Sequence, residues 1–415
     1  MGHKTHQPHL SDVNQSWLDL VVIQFSGWMG IPTLASSILI LQQNSFLGSI
    51  FTIIVGNAIM WFIRLGIISM SYANRQSTLD ISKTFLGIAG GYVVAVLLLL
   101  STFAWYVVQT SIGSDVLTHL LSIHENSEIN QFSQISVLLG LLSSLLCMEG
   151  MGLLRKLSMI CFPILIGSFF VIFFLSPAWD FQTENQKITL AGLSIFLATN
   201  LGISSDLPTF FRHSKTWETA VKALTAVQII NLLFGILGLY LGKIVVNGFE
   251  INEQYILASG TPLLKYSLII FVFVSVICAN VANVYSSSVG WELIAPKALI
   301  GRKEYLVLGL SLSIIFILLS NVLSMDFLLT ITDNMLVNLS IVLCIGYLMQ
   351  KKYASVLDPS MQKTYFLSWA LASTLNVIQY IYNMLIDQLL CSLLVISVSI
   401  FVCTIFKKFV SCNKQ

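Results

Sequence analysis

A few polar side chains, set in otherwise apolar sequence, recur at spacings of three and four residues that place them on common helical faces. In CANVANVYSSSVG, residues 278–290, Asn280, Asn283 and Ser287 share one helical face, with the small residues Ala279, Ala282 and Ser286 alongside. A carboxamide donates and accepts at once, which suits the mixed N–H and C=O edge of a base. Within a membrane helix an amide is costly unless bonded, so Asn280 fits interhelical bonding as well as it fits a ligand. In FAWYVVQTS, residues 103–111, Trp105 and Gln109 stand one turn apart on one face. A planar ring can stack on the indole while the amide reads its edge; an indole at such a place also serves as packing or as an interfacial anchor.

These residues have to be held by helices that cross a bilayer. Of 415 residues, 56% are hydrophobic and 10% charged, and the mean hydropathy is +0.85. That leaves too little polar surface to coat a water-soluble globule of this size. Apolar runs long enough to cross about 30 Å of hydrocarbon recur along the chain. Twelve spans are expected, at 17–42, 46–70, 88–121, 134–150, 157–176, 188–211, 217–246, 266–291, 304–320, 326–349, 364–386 and 388–407. The runs are continuous and helix-length, which excludes the alternating pattern of barrel strands. The expected fold class is all-α integral membrane.

Two of these spans are interrupted. QFSGWMGIPTL, residues 24–34, places Gly27, Gly30 and Pro32 in the middle of span 1, and ATNLGISSDLPTF, residues 198–210, places Gly202 and Pro208 in span 6. Backbone polar groups in lipid have to be paired, so a broken helix survives only where protein or a water-filled cavity surrounds it. Five spans separate the two breaks, so span 1 enters from one side and span 6 from the other. Matched breaks of this kind mark an inverted five-plus-five repeat, with free amides and carbonyls offered to a substrate and a coupling ion at the midplane; Gly and Pro also serve simply to kink or pack such helices. Around the breaks, Gly27, Trp28, Phe196 and Asn200 are candidate substrate contacts, and Ser26 and Gly30 candidate cation contacts. The expected organisation is a tail at 1–16, a first repeat at 17–176, an inverted repeat at 188–349, spans 11 and 12 at 364–407, and a tail at 408–415.

Charge orients the bundle. With both termini cytoplasmic, eighteen Lys and Arg, Arg64 among them, fall on the cytoplasmic side, and only Lys187, Lys243 and Lys265 lie outside. The net charge of +2 is spread along the loops and forms no nucleic-acid patch. Residues 1–16 are polar and precede a full-length apolar run, so no cleavable signal peptide is expected. The seven Cys have no paired spacing and read as small packing residues. His3, His6 and His9 form either a weak metal site or a polar tail. No HExxH pair, G-x-S-x-G elbow or P-loop occurs, so neither catalysis nor ATP-driven pumping is expected, and no cofactor.

Together, VGNAIMWFIRLG (55–66), FLGIAGGY (85–92), WYVVQ in span 3, SSDLPTFFR (204–212) and NVANVYSS in span 8 resemble the nucleobase:cation symporter family, especially its cytosine permease branch. The resemblance covers spans 1 to 8. It implies a LeuT-type fold in a plasma or inner membrane, importing a planar nucleobase or related heterocycle with a cation. In that family the base stacks on a Trp, here Trp105, and is held by span 6 near Thr199 and by a span 8 Asn, here Asn283; Gln109 matches hydantoin-type members. A hydantoin or pyrimidine-precursor carrier, an amino-acid permease of the same fold, and a channel or receptor are the alternatives.

The sequence departs from the family pattern in places. The aromatic of span 6 falls on Leu197, with Phe196 one residue earlier, and the span 8 hydroxyls that hold sodium fall on Cys278 and Ala279. Ser275, one turn earlier, is the remaining hydroxyl for a hard cation. Protons are the alternative coupling ion. Asp333 lies about a third of the way into span 10, where an acid is expensive unless paired or facing a cavity, and is either a proton site or a structural partner. Asp206, just past the second break, is expected to cap the following half-helix.

Overall fold

The computed structural model describes residues 15–28, 30–121, 128–147, 151–175, 187–241, 245–246, 250–251, 261–294, 307, 311, 315, 325–353, 359–382 and 387–412. These form thirteen helices and one two-stranded pairing. Span 1 is α1 (Trp17–Trp28) and α2 (Ile31–Gln43), and spans 2 to 5 are α3 (Phe46–Asn74), α4 (Thr78–Leu120), α5 (Glu128–Cys147) and α6 (Met151–Leu175). Span 6 is α7 (Leu190–Ser204) and α8 (Leu207–Phe211), followed by α9 (Trp217–Tyr240), β1 (Val245–Val246), β2 (Glu250–Ile251) and α10 (Pro262–Ile294). The remaining helices are α11 (Met325–Tyr353), α12 (Pro359–Ile381) and α13 (Gln388–Cys412). Seven of them, α3, α4, α6, α9, α10, α11 and α13, are long and apolar enough to cross a membrane. The ninth expected span, apart from three helical positions, and the tail histidines lie outside the described residues.

Both expected breaks are present, and they differ. Span 1 opens into extended chain, with Gly30 at φ −169° and ψ −171° before Pro32 enters the first turn of α2. Span 6 tightens instead: Ser205 N–H donates to Gly202 O at 3.2 Å and Asp206 N–H to Ile203 O at 3.4 Å, after which α8 begins. The second break thus falls between the two residues expected to cause it, and leaves only a five-residue helix beyond it.

The two broken spans run antiparallel and are fastened at both ends. At one end Gln15 N–H donates to His213 O at 2.9 Å and Lys215 N–H to Gln15 O at 3.1 Å. At the other, Ser45 N–H donates to Lys187 O at 2.9 Å, and the Asn44 carboxamide oxygen accepts from Thr189 N–H at 2.8 Å. Local capping sets where these helices start. Ser16 and Asp19 bond reciprocally at 2.9 and 3.2 Å at the start of α1, and Ser45 and Thr189 cap α3 and α7. Asp19 also pairs with Arg155 of α6 at 2.8 Å, which ties this end of α1 to its neighbour.

The long α4 kinks at Gly87, whose φ of 77° favours a residue without a side chain. Gln362 of α12 donates to the Thr84 carbonyl beside that kink at 3.0 Å. Beyond the kink, α4 lies along α10, which also packs on α1, α5 and α6. Small residues set the close approach: a Cβ on Gly113 would meet Val276 at 2.6 Å, and one on Gly27 would lie 3.4 Å from Ala282.

Candidate functional site

Three helices carry the residues singled out for a flat ring. On α4, Trp105 and Gln109 are both half-buried. The Trp105 indole N–H donates to Asp333 of α11 at 3.1 Å, and the Ser101 hydroxyl donates to the same carboxylate oxygen at 3.3 Å. Asp333 therefore fixes the orientation of the indole. Across from Gln109, Asn283 of α10 donates to its amide oxygen at 3.5 Å, a contact at the outer limit of a hydrogen bond. Two half-buried amides so loosely joined keep donors and acceptors for a ligand.

Asn280, one turn earlier, is differently placed. It has no exposed surface and donates to Thr110 of α4 at 2.8 Å, which makes it a bond between the two packed helices. Ser26 donates to Val22 O and Ser275 to Val272 O, each within its own helix. Thr199 is exposed and donates to Ile195 O at 2.9 Å. Phe196 is buried, its ring seated where a side chain on Gly56 of α3 would otherwise lie. The Asp206 carboxylate makes no cap at α8; it accepts from the Ser286 hydroxyl of α10. The capping expectation is corrected on that point, because a neighbouring helix presents a hydroxyl and the tightened turn uses main-chain bonds instead. Cys161 of α6 and Cys278 of α10, expected as packing residues, are both buried free thiols.

The main correction concerns Arg64. Counted with the cytoplasmic charges, it lies inside α3 with no exposed surface. Its Nε–H donates to Ser204 Oγ at 2.8 Å, one Nη to the Gln228 amide oxygen, and the other to Asn200 O and Oδ1 at 3.2 and 2.9 Å. Its guanidinium lies 4.7 Å from the centre of the Trp28 ring, at the last residue of α1. Every acceptor is neutral, and among the described residues no carboxylate pairs with it. The signal was available: a lone Arg within WFIRLGII, inside a span.

These contacts form one string. It runs from Asp333 to Trp105, one turn along α4 to Gln109, across to Asn283, through the adjoining Ala282 to Gly27, and by Trp28 to Arg64 and Asn200. Both breaks and the ring-binding candidates therefore belong to one region.

No family model matches the chain, and no curated protein matches it in sequence. Solved structures do. Mhp1, a nucleobase-cation-symport-1 family transporter solved closed with bromovinylhydantoin bound, aligns with a TM-score of 0.69 and 15% identity over 94% of this chain and 95% of that one. Its inward-facing form gives 0.65 and 14% over 97% and 96%. A Na+-coupled sialic acid symporter, substrate-bound and outward-open, gives 0.66 and 12% over 94% and 89%. The chain is a multi-pass membrane protein with the LeuT-type five-plus-five fold, and these structural neighbours are transporters.

Proposed function

We propose that the chain is a secondary active transporter of the plasma or inner membrane, with both termini cytoplasmic, that imports a planar nucleobase or related heterocycle by cation-coupled alternating access. Cytosine or a purine is the favoured substrate. The observation that carries this reading is the Trp105 indole, braced by Asp333, one turn from a Gln109–Asn283 amide pair. An indole offers a stacking face, and the two amides match a ring edge that alternates donors and acceptors. Gly27, Trp28 and Asn200 border the same region, with Phe196 and Thr199 on the span of Asn200; Asn280 ties α10 to Thr110 of α4 beside it. The coupling ion is a sodium ion at the span 1 break, drawing on Ser26, Gly30 and Ser275, or a proton at Asp333.

A hydantoin is the second reading, favoured by Gln109 beside Asn283 and by the hydantoin bound in Mhp1. An amino-acid permease is less well served, since among the string of contacts the one carboxylate, Asp333, is already engaged by Trp105 and Ser101. Uptake of labelled cytosine into proteoliposomes, competed by purines, pyrimidines and benzylhydantoin with each ion gradient in turn, tests the proposal. Concentrative uptake competed by a planar base supports it; binding without accumulation makes the protein a receptor or channel.

A further inference from the structure

Arg64 is the one arginine or lysine side chain among the described residues that is both fully buried and bonded only to neutral groups. A lone cation inside a membrane protein is expensive unless its surroundings supply negative potential. The surroundings here are helix ends. Ser204 is the last residue of α7 and Asn200 lies one turn before it, and Trp28 is the last residue of α1. Each half-helix presents its carbonyl end at its break, where the summed peptide dipoles amount to roughly half a unit of negative charge. Two such ends offset about one positive charge, the charge of one guanidinium.

In broken-helix carriers, the carbonyl ends of half-helices and their unwound main chain are what attract a mobile cation. Among the described residues, four of those oxygens are already engaged. Trp28 O accepts from Thr33 Oγ at 2.5 Å and Gly30 O from Thr33 N–H at 3.1 Å. Gly202 O accepts from the Ser205 hydroxyl at 2.8 Å, and Asn200 O from both Arg64 and Ser204. The span 8 position where a hydroxyl would hold sodium is Cys278, a buried thiol that offers no hard oxygen.

We infer that Arg64 is a tethered cation: its guanidinium permanently fills the electrostatic role of a bound metal ion between the carbonyl ends of α1 and α7, so both breaks are held in place without sodium. This deepens the transporter reading and rests on it only for the idea that a coupling ion is expected at all. The test uses the full chain purified in detergent, with melting temperature as readout, so that no substrate is required. Wild type, Arg64→Gln, Arg64→Ala and Arg64→Lys are compared in sodium chloride and in choline chloride of equal ionic strength, with and without methylguanidinium. The expected result is a wild-type melting temperature indifferent to sodium and a large drop for Arg64→Gln. Arg64→Lys should retain most of the wild-type value, and methylguanidinium or sodium should partly restore Arg64→Ala.

A saturable, sodium-specific rise in the wild type overturns the inference, as does an Arg64→Lys protein that falls as far as Arg64→Gln. Failure of both cations to restore Arg64→Ala also overturns it; if that variant does not accumulate, the sodium titration of wild type and the Lys-to-Gln comparison decide. Equilibrium binding of labelled cytosine to wild type, measured in parallel without sodium, separates failure of this inference from failure of the heterocycle reading.

Discussion

Asn280 and Asn283 lie less than one turn apart on α10, and the proposed base site gives them opposite consequences when truncated. Asn280→Ala removes one helix–helix hydrogen bond to Thr110, which in membrane proteins contributes about 0.6 kcal/mol on average. It also removes the Asn280 amide oxygen, which is buried without a partner among the described residues, and such an orphan costs about 1–3 kcal/mol. Thr110 keeps its own donation to Tyr106 O at 2.7 Å, so truncation orphans nothing new. The vacated volume offsets part of the relief. The net change in stability is then no more than about 1 kcal/mol, a melting shift of roughly 2–4 °C at most, and affinity for the base is unchanged. Asn283→Ala instead removes a half-buried amide held only by a 3.5 Å contact. If it makes two hydrogen bonds to the ring, at about 0.5–1.5 kcal/mol each, affinity falls roughly 5- to 150-fold. Equilibrium binding of labelled cytosine to the purified variants, alongside their melting temperatures, measures both quantities. Equal losses of affinity, or a loss confined to Asn280→Ala, refute the assignment and with it the placing of the ring beside Gln109.

Three further outcomes are expected. Trp105→Ala removes the stacking face and should weaken base binding about tenfold or more, while Trp105→Phe keeps most of the affinity and loses the bond to Asp333; retained uptake in Trp105→Ala would reject the platform. Gly56→Val places a side chain where the Phe196 ring sits and should destabilise by about 1–3 kcal/mol through overpacking, visible as a lower melting temperature; an unchanged value would show that the ring is not seated there. Arg155→Ala leaves Asp19 buried without its ion partner, at a cost of about 1–2 kcal/mol because the arginine is half exposed; faster thiol labelling of a cysteine introduced at Gln15 would show that this end of α1 has loosened, and unchanged labelling would show that the pair does not tie it to α6.

Much of the architecture was legible because lipid demands long apolar runs, and because an interruption in such a run needs a reason. Gly27, Gly30 and Pro32 announced the span 1 break, and the chain is extended at Gly30 as expected. In span 6 the residues flanking the break were read as its cause, while the change of direction falls on Ser205 and Asp206, whose tightened main-chain bonds carry no sequence signature. Trp105 and Gln109 were legible because helical spacing sets them one turn apart. The bonds from Asp333 to Trp105 and from Ser286 to Asp206 join residues 228 and 80 positions apart, which no local pattern connects. Arg64 was missed for a related reason: a rule that counts charges by loop has no place for a cation whose partners, Asn200, Ser204 and Gln228, are neutral and lie on two other helices.

The lacing of the two broken spans, at Gln15 with His213 and Lys215 and again at Ser45 with Lys187, has a mechanical outcome. A pair of rods pinned together top and bottom cannot open like scissors at either mouth. In the proposed transport cycle, exposing the centre first to one side and then to the other has to tilt the pair as a single beam against the α4 and α10 wall. Compliance is then left to the gap before Gly30 and the crimp at Ser205, so a stiffening substitution at either should slow turnover while leaving resting affinity intact.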